Sequence, residues 1–165
     1  MCAIILPGQV PYKELALETR KGNQIPNSQS ESLTRHYEAL DKKSRKDYKH
    51  NCFRTPGPSA FYNCHGLTFA ARRTTIDRAQ SVQLILCDDG YKEIEDKNKV
   101  LPGDLVLYFS KDDIEHSGMV VEIARLDFGI RFRILSKWGH GSEVLHWLEE
   151  CPYEFSAVKF YRINK

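Results

Sequence analysis

Hydrophobic residues recur in two rhythms along the 165-residue chain, and the change falls near residue 100. Before it, apolar positions are spaced as on helices. Leu33, Tyr37, Leu40 and Tyr48 mark a first helix. Ser28 and Glu31 have the spacing of a capping box, which predicts that this helix begins over residues 27–31. Leu67, Ala70, Ala71 and Thr74 mark a second. Ala79, Val82, Ile85 and Leu86 mark a third, opened by Thr75-Ile76-Asp77 and stopped by Asp88-Asp89-Gly90, with Cys87 expected in the core. After Pro102-Gly103 the pattern becomes that of strands, over residues 104–109, 116–123, 130–136 and 157–163. Helices first and consecutive strands after predict an α+β domain, with helices packed on a central antiparallel sheet. No repeat or low-complexity linker divides the chain. The first ~25 residues, punctuated by Pro7-Gly8, Pro11, Gly22 and Pro26, predict no regular element.

Composition narrows the class. Hydrophobic content of 41% and charged content of 28% are those of a soluble globular domain. A net charge of +2 supplies no global attraction for nucleic acid or an anionic membrane, so neither is expected as a partner. No stretch approaches the roughly 18 apolar residues of a membrane span. The run from Met1 to Gly8 is apolar but short and lacks a basic n-region, so the cytoplasm is expected, or delivery by a specialised system. The basic run from Lys42 to Lys49 reads as a solvated helix face because Asp41 and Asp47 interrupt it. The other reading of that helix is a docking patch for an acidic partner.

Five cysteines, at 2, 52, 64, 87 and 151, form no C-x-x-C pair and predict no disulfide framework. His50, Cys52, Cys64 and His65 match no zinc-ligand spacing, and no cofactor is expected. Cys64 is placed differently. Asn63 is a good N-cap, so Cys64 falls in the first helical turn, where orphan N–H groups favour a thiolate. A base for it must come from elsewhere. His116 opens a strand, and Gly118 leaves room for a helix end to approach that face. In a hairpin centred on Asp127, His116 lies across from Trp138 and Gly118 across from Ser136. All four then share one face; a slip by one puts Lys137 there instead. Ser136 would accept from the imidazole and Trp138 would shield it. His65, about 100° round the helix from Cys64, is expected to line the pocket or face solvent. His36 and His50 belong to the polar N-terminal region, and His146, before Trp147 and Leu148, is expected to pack in a helix. Arg72 and Arg73 read as a solvated face.

At these residues the sequence resembles the NlpC/P60 superfamily of papain-like cysteine peptidases and amidases. The family's helix start, Asp-Cys-Ser-Gly-Leu, has its counterpart in Asn63-Cys64-His65-Gly66-Leu67. Pro102-Gly103-Asp104-Leu105-Val106, followed by Tyr108 and Phe109, matches the next signature, and His116-Ser117-Gly118-Met119 matches His-x-Gly-φ. The match covers about residues 60 to 138. It implies a papain-like fold in one domain over residues 1–165; residues 1–55 have no counterpart in the family pattern and read as a family-specific N-terminal helical extension, open to a role as a cover over the cleft. It implies Cys64 as nucleophile, His116 as base and Ser136 in the third role, for which His140, Glu143 and His146 are alternatives. Asn63 and His65 depart from the family pattern and would shape the substrate pocket; Trp138 and His140 would form a wall of it. The implied activity is cleavage of an amide or peptide bond, in cell-wall peptides first and in an intracellular protein second. Thiol-dependent acyl transfer is chemically equivalent up to the acceptor. A non-catalytic binding module on the same fold, using the basic helix between residues 31 and 50, is the reading from another class.

Overall fold

The computed structural model describes residues 12–30 and 32–163; Cys2, the apolar run at residues 1–8, Pro11 and Glu31 lie outside the described residues. In chain order the elements are β1 (Tyr12–Lys13), β2 (Gln29–Ser30), α1 (Arg35–Asp47), β3 (Cys52–Phe53), α2 (Cys64–Phe69) and α3 (Ala79–Asp88). They continue with β4 (Tyr91–Glu93), β5 (Leu105–Ser110), β6 (Asp113–Leu126), β7 (Gly129–Lys137), β8 (Glu143–Trp147) and β9 (Ala157–Ile163). β1 and β2 pair with each other, and the rest form a seven-stranded sheet in the order β3-β8-β7-β6-β5-β9-β4. Every pairing is antiparallel. The class is therefore α+β with a central antiparallel sheet, as the change of rhythm predicts.

Both faces of the sheet are covered, which is why β5 reads as a continuous apolar run rather than an alternation. One face meets the helices: Leu107 and Ile114 pack with Ile25, Ala70, Ile76, Val82 and Ile85. The other gathers Val106, Tyr108, Val120, Phe132, Ile134, Cys151 and Phe160. The rings of Phe132 on β7 and Phe160 on β9 are 4.8 Å apart, although β6 and β5 lie between their strands. On a flat sheet those strands would be about 14 Å apart. The sheet is thus curled, and this second face is its concave side.

Several local expectations give way to tertiary contacts. The first helix begins at Arg35, after Thr34, and not over residues 27–31. Ser28 exchanges two backbone hydrogen bonds with Thr75, of 3.0 and 2.8 Å. Beside it the Asn27 amide donates to the carbonyls of Leu15 and Ile25 and accepts from Leu15 N–H and Thr74 Oγ1. A helix there would break all of these. On α1 the lysines 42, 43 and 46 are solvated, but Asp41 is buried, accepting from Ser142 N–H at 2.8 Å and Arg45 Nε at 2.9 Å. Arg45 also donates to the Thr55 carbonyl and the Ser142 hydroxyl, both at 2.6 Å. These bonds dock α1 on the loop before β8. Residues before 55 also supply the edge strand β3 and the core side chain Ile25, so that segment is built into the domain. Cys87 is exposed, not core, because it falls about 200° round α3 from the buried Ile85. His146 lies in strand β8, not a helix, paired with Ile134. Among the described residues no helix is long and apolar enough to cross a membrane.

Two glycines show how tightly α2 is set. A Cβ on Gly66 would lie 1.8 Å from the Thr74 carbonyl oxygen, whereas one on Gly57 would meet nothing within 4 Å. Gly66→Ala is expected to destabilise by about 3 kcal/mol or more and Gly57→Ala by under about 0.5, measured by urea unfolding.

Candidate active site

The local chemistry around Cys64 begins with its cap. Asn63 Oδ1 accepts from Gly66 N–H at 2.9 Å and Ile76 N–H at 3.2 Å, and its Nδ2 donates to the Ile76 carbonyl at 2.8 Å. Asn63 therefore holds the start of α2 against residue 76. Both ends of its amide serve that role, and none of these bonds turns it toward a substrate pocket. Cys64 follows at the first helical position and is only 6% exposed.

Where the thiol sits is decided by strand register. The β6–β7 hairpin turns at Asp127-Phe128 and starts with Leu126 opposite Gly129, a register that would carry Gly118 to Lys137. A bulge between Val120 and Glu122 absorbs one residue, and Gly118 meets Ser136. Beyond that pair no further β6–β7 pairing forms. The backbone and hydroxyl of Ser117, next along β6, lie near Cys64 Sγ, as do the N–H groups of Cys64 and His65. Burial pushes the thiol up to about 11 and outweighs these neighbours, which favour thiolate. The expectation that the helix start yields a thiolate is thus corrected for this closed state: desolvation dominates.

Alternation along β6 sends successive side chains to opposite faces. Ser117 faces α2, where its hydroxyl lies 2.8 Å from His65 Nδ1 and 3.0 Å from Thr68 Oγ1. His65 is consequently buried between helix and strand, not at a pocket wall or in solvent, and burial drives its pKa down to about 4. His116 faces the concave side and is 0% exposed. Neither of its ring nitrogens has a hydrogen-bond partner among the described residues. Its ring stacks on Tyr153, with centroids 4.3 Å apart and planes 18° from parallel. Burial, with the nearby His146 and His65, holds His116 well below the usual histidine range. Gly118 makes room for β7, not for a helix end: a Cβ there would lie 2.6 Å from Ile134 Cγ2 and 2.9 Å from the Leu135 carbonyl.

Ser136 shares the concave face but turns to a different imidazole. Its Oγ lies 2.8 Å from His146 Nε2, while His146 Nδ1 lies 2.8 Å from the Trp147 carbonyl. A carbonyl only accepts, so Nδ1 carries the proton and Nε2 accepts from the Ser136 hydroxyl. Burial keeps His146 low in pKa and hence neutral. Trp138 packs on Tyr48, Phe53 and His146, so it shields His146 rather than His116. His140 lies half-buried against the Tyr37 ring. Glu143 points to the helix side, accepting from Arg72 at 2.6 and 3.1 Å and from Tyr62 Oη at 2.6 Å, so it does not orient His116. Arg72 is correspondingly tied to a buried carboxylate instead of being freely solvated; burial would raise Glu143, but the Arg72 and Tyr62 bonds leave it below its ordinary value.

Two residues with a direct hold on the site carried no signal of their own in the sequence. Ser117 is the x of His-x-Gly, and its hydroxyl lies within hydrogen-bond distance of His65 and Thr68 on α2. Tyr153 arrives from the segment between β8 and β9, a long-range contact that no local spacing announces. Lys137, 1% exposed, lies on the helix-side face. A cavity of about 140 Å³ opens between α1 and residues 138–141, lined by Tyr37, Leu40, Trp138, His140 and Tyr153.

The buried histidines make stability depend on pH. His65, His116 and His146 are held neutral in the fold, while in the unfolded chain each takes up a proton below about pH 6.5. Acidification therefore favours unfolding, and stability present at pH 7 is lost as pH falls through that range toward the folded values. From pH 7 to about 4, His65 alone is expected to account for a loss of about 3 kcal/mol. His65→Asn, which can still bond Ser117 but does not titrate, should flatten the urea-derived stability profile by that amount.

Comparison of the chain with known protein families, curated proteins and solved structures returned no match.

Proposed function

We propose that the protein is a cysteine hydrolase of the papain-like, NlpC/P60 type, cleaving an amide or peptide bond through Cys64 and His116. One observation carries this reading. The Cys64 thiol faces Ser117 at the point where β7 leaves β6, and the residue next to Ser117 in the chain, His116, carries an imidazole that is wholly buried yet has no hydrogen-bond partner among the described residues. A buried polar group left unpaired costs about 1–3 kcal/mol, and a base awaiting a proton gives such a group a purpose. The resemblance at Asn63–Leu67, Pro102–Val106 and His116–Met119 points the same way.

In the resting state the pair is a neutral thiol and a neutral imidazole, since burial raises Cys64 and lowers His116. The thiol proton passes to His116 as Sγ attacks the substrate carbonyl. The N–H groups of Cys64 and His65, already turned to the sulfur, stand near the developing oxyanion. The carbon–nitrogen bond then breaks, and His116 returns the proton to the leaving amine. Water attacks the thioester, giving the carboxylic acid and regenerating the thiol. An amine in place of water would make the same protein an acyltransferase. Ser136 bonds His146 and not His116, so the orienting role expected of Ser136 is left unfilled among the described residues, and the Tyr153 stack is what holds the His116 ring. Cell-wall peptides are the first substrate class, followed by peptides or isopeptides of intracellular proteins.

The burial of Cys64 favours one other reading, a non-catalytic binding module whose thiol is a core residue. The two separate on incubation with peptidoglycan fragments and, in parallel, a cytoplasmic protein pool, followed by mass spectrometry. New termini are expected with the native protein, reduced at least ~100-fold in Cys64→Ala and in His116→Ala. Absence of cleavage in both pools, with Cys64 unmodified, would favour the binding module.

A further inference from the structure

The cavity between α1 and residues 138–141 has no part in the proposed mechanism. Its shape follows from how the turn after β7 is held. Gly141 N–H donates to the Trp138 carbonyl at 2.8 Å, and Gly139 has a φ of +61°, so the chain folds back tightly there. Asp41 draws α1 onto this turn by accepting from Ser142 N–H at 2.8 Å. A Cβ on Gly141 would lie 2.8 Å from the Trp138 carbonyl oxygen and 3.2 Å from Asp41 Oδ1, so that position stays bare. Tyr37, Asp41 and Ser44 share one stripe of α1 and form one wall of the cavity. Trp138, His140 and Tyr153 form the other.

The space between the walls is about 140 Å³. An apolar cavity of roughly 150 Å³ admits one benzene ring. The rings that line it are themselves packed on rings: Trp138 meets Tyr48 and Phe53 edge to face at 4.9 and 5.9 Å, and His140 meets Tyr37 at 4.7 Å. No lining group offers a spare charge. Asp41 is bound by Arg45 and by Ser142 N–H, and burial keeps His140 low in pKa and hence neutral at pH 7. One polar need is left open. The indole N–H of Trp138, a donor only, is buried with no acceptor among the described residues, and His140 Nδ1 also lacks a partner there. An unpaired buried donor costs free energy that an acceptor brought by a ligand would recover. Two larger clefts, of about 330 and 370 Å³, are lined mainly by charged side chains and include no residue with such an unpaired group.

We propose that this cavity binds one uncharged aromatic ring bearing a hydroxyl, a phenol, whose oxygen accepts from the Trp138 indole N–H. The volume selects a single ring, and the walls of Tyr37, Trp138 and Tyr153 suit its faces and edges. The lack of a spare charge disfavours an ionised ligand, which would be desolvated without a partner. The unpaired donor selects an oxygen over plain hydrocarbon. Phenol rings come from two sources, the tyrosine side chain of a peptide and free small phenols, and the chemistry at the cavity is the same for both. The site adjoins the proposed catalytic residues, since Tyr153 also stacks on His116, yet it stands whether or not Cys64 is a nucleophile.

The test is a titration of the isotope-labelled full chain, followed at the indole N–H signals in proton–nitrogen correlation spectra. The chain has two tryptophans, so Trp147→Phe assigns the signal of Trp138. Phenol, toluene and benzoate are the free probes, and N-acetyl-tyrosinamide is the peptide-like one. Phenol at millimolar concentration is expected to move the Trp138 signal saturably and to leave that of Trp147 in place. It should bind about 5-fold more tightly than toluene and at least ~10-fold more tightly than benzoate. Ser44→Leu, which fills the cavity from α1, should weaken phenol at least ~10-fold. Should that variant not fold, nuclear Overhauser contacts from the phenol ring to Tyr37 and Trp138 of the native protein decide the location alone. An unmoved Trp138 signal, equal affinity for toluene, or unchanged affinity in a folded Ser44→Leu protein would overturn the inference. N-acetyl-tyrosinamide binding at least as tightly as phenol assigns the ring to a peptide side chain; binding of phenol without it assigns the ring to a free small molecule, and either result upholds the site.

Discussion

The end of the β6–β7 ladder is the constraint on which the rest of the molecule depends. Past Gly118 and Ser136 the β6–β7 pairing ends, and the next residue of β6, Ser117, faces the start of α2. Its hydroxyl, within hydrogen-bond distance of His65 Nδ1 and Thr68 Oγ1, seats α2 in the mouth of the ladder, with the Asn63 cap and the Gly66–Thr74 contact fixing its approach from behind. The curl of the sheet, the cover of helices over one face and the stack of Tyr153 over the other bury the junction. Burial sets the chemistry: every ionisable group at the junction is pushed toward its neutral form unless a partner holds it charged.

Two partitions follow from that geometry. On the concave side the polar groups are neutral histidines and a serine, ordered by one chain of hydrogen bonds from Ser136 through His146 to the Trp147 carbonyl. On the helix side they are ions, paired as Arg72 with Glu143 and Arg45 with Asp41, with the Lys137 ammonium donating to the Gly141 carbonyl. The thiol and the imidazole are both buried, and the Tyr153 ring that stacks on His116 also lines the cavity beside α1.

Much of this was legible from the chain. The periodicities located α3 and the four long strands, and Asn63 announced the start of α2. The pairing of Gly118 with Ser136 was also readable, although for an incomplete reason: the turn sits half a residue from Asp127, and the bulge at Val121 restores the register. A bulge of that kind leaves no mark in a run such as Met119-Val120-Val121. What local reasoning could not supply were the long-range bonds. Asp41 looks like one charge among many until Ser142 is brought to it, and Ser28 looks like a helix cap until Thr75 is. His65 and Cys87 were misplaced for a simpler reason, since a short helix does not declare which side its neighbour covers.

Covalent capture of the nucleophile bears most directly on the claim that Cys64 and His116 act together. Brief exposure of the native protein to an activated ester at neutral pH, followed by intact-mass analysis and peptide mapping, reports which cysteine becomes acylated. Acylation is expected at Cys64 ahead of the exposed Cys52 and Cys87, with the label then lost to water. It should be slowed about 100-fold or more in His116→Ala. Label confined to Cys52 and Cys87, or a Cys64 rate untouched by His116→Ala, would contradict it.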